Sequence, residues 1–198
     1  MTEGLTAPSQ LALVDDPRVR AILSAADTVM ARFGPDALSL THIARVSLIP
    51  LARIYQFFPD RNAVLGALSS RALARMPAAI GRGGEPRPGR DAGERLDRVI
   101  DLAAGYLGDR ATAYLVLCGP FDRESTALRL EATHRLGVAL QRAAAQDGER
   151  DSPTRDHFDY AGELAFACFH RAYLVESRVT AESVAMAQRA VRAFILAS

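Results

Sequence analysis

The sequence predicts an all-α fold of about nine helices, and three observations predict it. Apolar residues recur at helical spacing along almost the whole chain, no stretch shows the alternation of a half-buried strand, and caps or Gly/Pro breaks separate the periodic segments. The 198 residues, 49% of them hydrophobic, suffice for one large domain or for a small domain joined to a larger one. No run approaches the ~18–20 uninterrupted apolar residues of a membrane span, and the N-terminus lacks the basic-then-apolar pattern of a signal peptide. A cytoplasmic protein that makes no membrane contact is therefore expected. Cys118 and Cys168 lie in apolar stretches without CxxC spacing, which argues against a disulfide framework or a zinc site.

Residues 1–16 lack periodicity and read as a flexible arm. Asp16-Pro17 supplies a cap and a residue suited to the first helical turn, after which Val19, Ile22, Leu23, Ala26, Met30 and Phe33 fall on one face. Gly34-Pro35 stops that helix. Ser39 can cap a short second helix to about Val46, a third follows from about Pro50 to Phe57, and a longer fourth runs from about Arg61 to Ile80 behind Asp60. Residues 81–91 are too rich in Gly and Pro for a helix and read as a flexible connection. Beyond them helices are expected at roughly 92–108, 110–118, 123–147, 154–177 and 181–197. The expected division is the arm, a three-helix unit at 17–62 and a larger helical domain at 63–198.

Charge is uneven along the chain. Between residues 17 and 80 eight arginines face only Asp27, Asp36 and Asp60, while the remainder is slightly acidic. The chain contains no lysine, so its fixed positive charge is all guanidinium, a group that offers planar forks to phosphates and guanine edges. Two short helices joined by a tight turn and braced by a longer one are the physical recipe for presenting a helix to a DNA major groove. Residues 39–65 fit it, with Ile43, Ala44, Ile49, Ile54, Phe58, Val64 and Leu65 locking the helices and Leu51, Ala52, Arg53, Tyr55 and Gln56 projecting outward.

In this segment the chain resembles the TetR family of bacterial transcriptional regulators. The pattern appears here as Ile43-Ala44, Ile49, Ala52, Ile54-Tyr55, Phe58 and Arg61. It departs at Leu48, where the family has a turn glycine, at Pro50, where it has a Ser or Thr cap, and at Phe57, where it commonly has a polar residue. The resemblance covers residues 17–68, and the remainder only by helix number and length. It implies a DNA-binding helix-turn-helix followed by a domain that dimerises and binds a small molecule.

Residue roles follow from that reading. Arg53 has the fork for guanine O6 and N7, or for a phosphate. Tyr55 and Arg61 are placed as phosphate contacts, with the amides opening the helix at Arg61 adding to the anion site. Thr41 can reach a base or a phosphate or remain solvated. Leu51 can pack on a thymine methyl, Gln56 can reach adenine or a phosphate, and Ala52 is needed small for close approach. The expected partners are a palindromic double-stranded operator, a second copy of the chain and an unidentified small-molecule effector. The expected action is repression released by an apolar or aromatic ligand.

In the helix near 154–177, Ala161, Ala165, Cys168, Ala172 and Val175 form a small-residue face that permits close packing. In the last helix Val184, Ala187, Val191 and Ile195 do the same. The resemblance implies that these faces pair with their copies in a four-helix dimer interface. It also implies an apolar pocket, for which Tyr106, Tyr114, Phe121 and His134 are candidates together with Phe166, Phe169, His170 and Tyr173. No GxSxG, P-loop, HExxH, GxGxxG or CxxC pattern is present and the four histidines are scattered, so neither catalysis nor a bound cofactor is expected. A helical dimer that binds another protein and has lost DNA binding is the alternative, encouraged by Leu48, Pro50 and Phe57.

Overall fold

The computed structural model describes residues 16–81, 91–120, 123–145 and 155–196. Among them lie nine α-helices, one short 3-10 turn and no strand. The predicted arm up to residue 15, residues 82–90 of the predicted connection and Phe121 fall outside the described residues.

Helix α1, Pro17–Phe33, starts where the Asp16 carboxylate accepts the Arg18 N–H at 2.7 Å. It ends at Gly34, whose φ of 83° suits glycine and lets its N–H reach the Met30 carbonyl at 2.9 Å. A 3-10 turn at Pro35–Ala37, where the Gly34-Pro35 pair predicts only a stop, leads to Ser39. The Ser39 hydroxyl accepts the His42 N–H at 3.1 Å and opens α2, Leu40–Ser47. Helix α3 is shorter than its expected span and covers Leu51–Tyr55, because the amides of Gln56 and Phe57 tighten into bonds to the carbonyls three residues earlier. Ile43, Ile54 and Phe58 lock the unit from positions at most 2% exposed, each burial worth roughly 1.5–3 kcal/mol.

Helix α4, Arg61–Gly81, opens on Asp60, whose carboxylate accepts the Ala63 N–H at 2.8 Å. It is continuous across the predicted domain boundary at 62/63. The remaining helices are α5 (Ala92–Tyr106), α6 (Arg110–Leu117), α7 (Arg123–Ala144), α8 (Arg155–Glu176) and α9 (Ala181–Leu196). Asp91 and Asp109 cap α5 and α6, accepting the N–H groups of Glu94 and Thr112 at 2.8 Å. Helix α7 packs on α4, α5 and α8, and α9 closes the bundle against α5 and α8. The α7/α8 crossing is close enough that a Cβ at Gly137 would stand 2.8 Å from the Phe158 carbonyl oxygen, and one at Gly162 2.8 Å from that of Thr133. Only glycine permits this approach.

The turn between α2 and α3 is strained. Leu48 adopts the left-handed conformation at φ 58° with 89% of its surface exposed, in the position where a turn glycine would be relaxed. Because little packing would be lost, Leu48→Gly is expected to stabilise the protein by about 0.5–1 kcal/mol in denaturant titration. An unchanged or lower midpoint would show that the turn holds no such strain.

Candidate nucleic-acid interface

Helices α2 and α3 present one continuous exposed surface. Thr41 on α2 and Ala52, Arg53, Tyr55 and Gln56 on and after α3 are all exposed, whereas Ile43 and Ile54 anchor the same helices from below. Arg53 donates through Nη1 to Gln56 Oε1 at 2.6 Å, so the two side chains form one unit that presents the remaining guanidinium donors in a restricted direction. Sequence spacing alone did not reveal that pairing. The α3 backbone is closed at its start by the Pro50 carbonyl, which accepts the Arg53 and Ile54 N–H groups at 2.8 and 3.2 Å. Pro50 thus ends the turn without the side-chain cap that a Ser or Thr would add.

Two residues expected at this surface are turned away from it. Arg61, expected on a phosphate, donates through Nε to the Leu38 carbonyl at 3.0 Å and through Nη2 to the Pro35 carbonyl at 2.9 Å. Its guanidinium ties the start of α4 to the segment before α2, supplying a donor to the Leu38 carbonyl and a second one to the Pro35 carbonyl, which already accepts the Leu38 N–H at 3.2 Å. Leu51, expected on a thymine methyl, is half-buried against the core. The Phe33 and His42 rings meet at 5.0 Å, tilted by 40°, joining the end of α1 to α2.

A second surface lies on α8 and α9. The expected dimer residues Ala161, Ala165, Ala187, Val191 and Ile195 are instead buried in the protomer's own core, at most 5% exposed, and offer nothing to a partner. Cys168, Ala172 and Val184 are half-buried. Val175 is the one residue of the expected set that is exposed, and it belongs to an adjoining exposed stripe with Tyr160, Leu164 and Leu174 on α8, while Met186 and Leu196 are exposed on α9. A shallow cleft of about 280 Å³ within it is lined by Cys168, Val175 and Met186 and edged by Arg171, Glu176 and Glu182. Among the described residues the other large exposed apolar side chains are Phe33, Val46, Leu48 and Tyr55 in the α1–α3 unit and Leu130 on α7.

No protein-family model matches the sequence, and no curated protein matches it. Solved structures do match. A TetR-family transcriptional regulator from Streptomyces coelicolor is 23% identical at a TM-score of 0.55, covering 91% of this chain and 98% of its own. The multidrug binding protein EbrR complexed with imidazole is 20% identical at a TM-score of 0.61, covering 91% and 96%. Thermus thermophilus FadR, a TetR-family transcriptional repressor in complex with lauroyl-CoA, is 18% identical at a TM-score of 0.61, covering 89% and 93%. The chain has the fold of the TetR-family regulators.

Within this TetR-type fold the expected ligand residues are dispersed. Phe166, Phe169 and Tyr173 are core side chains of α8, and Tyr173 donates its hydroxyl to the Arg110 carbonyl at 3.3 Å while its ring lies 6.4 Å from that of Tyr114. His134 Nδ1 lies 2.9 Å from Asp159 Oδ1, tying α7 to α8. His170 is half-buried. Tyr106 donates to the Ala72 carbonyl at 2.7 Å, and burial pushes its phenol up while Arg75 and Arg71 oppose the shift. Burial likewise pushes the Cys118 and Cys168 thiols up, which leaves both poor nucleophiles. Among the described residues no His/Cys/Asp/Glu group could hold a metal ion, and no helix is long and apolar enough to cross a membrane.

The inward bonds of Arg61 give a direct test. Arg61→Ala removes both bonds, leaving the Pro35 carbonyl with only the Leu38 N–H and the Leu38 carbonyl without this donor, and is expected to lower stability by about 1.5–3 kcal/mol, and Arg61→Lys is expected to recover only part of it because one ammonium cannot span both acceptors. Unfolding of Arg61→Ala at the wild-type midpoint would return Arg61 to the DNA-facing set.

Proposed function

We propose that the chain is a sequence-specific DNA-binding transcriptional regulator acting as a two-fold dimer. The observation that carries this reading is the exposed Arg53–Gln56 unit on a short helix held from beneath by Ile43, Ile54 and Phe58, beside the exposed Thr41, Ala52 and Tyr55. An exposed arginine fork with its direction restricted by a neighbour is suited to a guanine edge, and Tyr55 and Thr41 are suited to the flanking phosphates. The arginine excess of residues 17–80 supplies the sequence-independent part of the attraction. Arg61 acts in this reading as a brace for the reader, without a phosphate role.

Dimerisation is supported by the unpartnered stripe on α8 and α9. Its apolar centre with a rim of both signs, Arg171 against Glu176 and Glu182, suits a second copy placed by a two-fold axis. A recognition helix of five residues reads few base pairs, so a useful specificity ratio needs two of them on a palindromic site, about one DNA turn apart or a multiple of it. Repression released by a small apolar or aromatic effector among the C-terminal helices completes the proposal. Support comes from the solved structures of the same fold that hold imidazole and lauroyl-CoA.

Titration of DNA from beside the protein's own gene at several salt concentrations tests the reading, with a random duplex as control. Arg53→Ala is expected to cost about 1–3 kcal/mol on the preferred site and to relax the choice of one base in each half-site. Equal affinity of wild type for both duplexes at every salt concentration would refute sequence-specific binding. For assembly, Leu174→Arg combined with Val175→Asp is expected to yield a folded monomer in sedimentation velocity, since both side chains are more than 60% exposed in the protomer. A monomeric wild type at micromolar concentration would remove the dimer.

A further inference from the structure

A cleft of about 300 Å³ lies where α1, α4, the end of α5 and α6 meet, lined among others by Asp27, Arg71, Arg75, Tyr106, Asp109 and Thr112. It is separate from the aromatic positions of α8 and from the exposed α2/α3 surface. Its volume is at the small end of those that hold organic ligands. Each polar group in it has a definite occupation except one. Asp27 on α1 is ion-paired with Arg71 on α4. Asp109 accepts both the N–H and the hydroxyl of Thr112 at 2.8 Å, so its charge is absorbed by the start of α6. The Tyr106 hydroxyl donates to Ala72. Arg75, one turn beyond Arg71, makes no ion pair or hydrogen bond among the described residues, and both guanidinium groups bear on the Tyr106 phenol. Leu68, Ala72 and Leu115 supply an apolar wall.

We propose that this cleft is an effector site for a small organic anion, an oxyanion carried on a compact apolar body, which bridges Arg75 and Arg71 and competes with Asp27 for the latter. The open donors favour an anion. Asp27 is ion-paired and Asp109 is held by Thr112, which leaves Arg75 as the charged group of the cleft whose donors are unengaged among the described residues. Two guanidinium groups at i and i+4 on one helix lie on the same face, and each offers paired donors to a planar or tetrahedral oxyanion. A bound anion would displace the Asp27 carboxylate and so weaken one of the ties between α1, which belongs to the reader, and α4. The consequence for DNA rests on the regulator reading given above, whereas the binding itself does not.

The test is isothermal titration of the full-length protein, without DNA, with benzoate and with phenyl phosphate, using neutral benzamide as control. Wild type is expected to bind one or both anions saturably at millimolar concentration or below and to ignore benzamide. The tighter of the two tells a carboxylate source from a phosphate ester. Arg75→Gln, at an exposed position that will not disturb folding, is expected to weaken binding about tenfold, the usual scale for losing one charge-assisted contact. Asp27→Asn removes the competitor and is expected to tighten binding severalfold, a response that a merely structural ion pair would not give. Absence of saturable binding, indifference to Arg75→Gln, or unchanged or weaker binding in Asp27→Asn would each overturn the proposal. If the anions bind as described yet operator affinity never changes, the site stands and its coupling to DNA falls.

Discussion

Helix α4 belongs to two assemblies at once, and the arrangement of the others follows from it. Its first turn is fastened to the α1–α3 unit by the Arg61 bonds to Pro35 and Leu38 and opens on the Asp60 cap, and further along it packs on α5, α6 and α7. Every residue from Val64 to Ser70 is buried, so this stretch is enclosed on all sides rather than along one stripe. The small residues in it serve that enclosure. A Cβ at Gly119 would collide with the Ser69 hydroxyl at 2.2 Å, which shows how closely the end of α6 is pressed on α4. A helix so enclosed cannot shift at one end without disturbing its neighbours at the other.

Periodicity and caps made the helices legible because they act locally. Asp16, Ser39, Asp60, Asp91 and Asp109 each accept an N–H from the first turn they precede, and the expected helix limits fall within a few residues of the observed ones. What each helix face meets was not legible in the same way. Helix α8 bears two apolar stripes, one through Ala161, Ala165 and Phe169 and one through Tyr160, Leu164 and Leu174, and spacing cannot say which faces the protomer's own core. Small residues mark close approach, and here the close approach is internal, where Gly137 and Gly162 bring α7 onto α8. The larger side chains form the exposed stripe. Aromatic residues with polar tips misled for a related reason, since the Tyr106 and Tyr173 hydroxyls are satisfied by main-chain carbonyls and give no sign of an awaiting ligand.

The reader shows the same limit at single residues. Ala52, Arg53 and Tyr55 are outward as their spacing requires, because a helix anchored by Ile54 has no other place for them. Arg61 shares the sequence signature of a phosphate contact, yet a guanidinium at the start of a helix has a competing use when main-chain carbonyls lie within its reach. Pro35 and Leu38 provide them, 26 and 23 positions earlier in the chain. No local pattern encodes that choice.

Such an enclosed α4 leaves its contact with α1 as the joint at which a response of the proposed kind would find freedom. The Asp27–Arg71 pair that spans this contact is partly exposed on both sides, 48% for the Asp27 side chain and 21% for that of Arg71. Ion pairs of that kind contribute at most about 1 kcal/mol, because water competes for both partners. Interhelical packing between α7 and α8, with glycines at the crossing, has no comparably cheap way to rearrange. Coupling between an effector and DNA typically amounts to about 1–3 kcal/mol, so a tie worth roughly 1 kcal/mol is a fitting element to exchange for another partner. A stronger bond at this joint would hold the reader in one attitude whatever was bound, and a weaker one would leave nothing for an effector to change. The position of the pair, between an α1 that packs on α2 and an α4 that reaches α5, α6 and α7, is what would convert a local exchange of partners into a change of tilt.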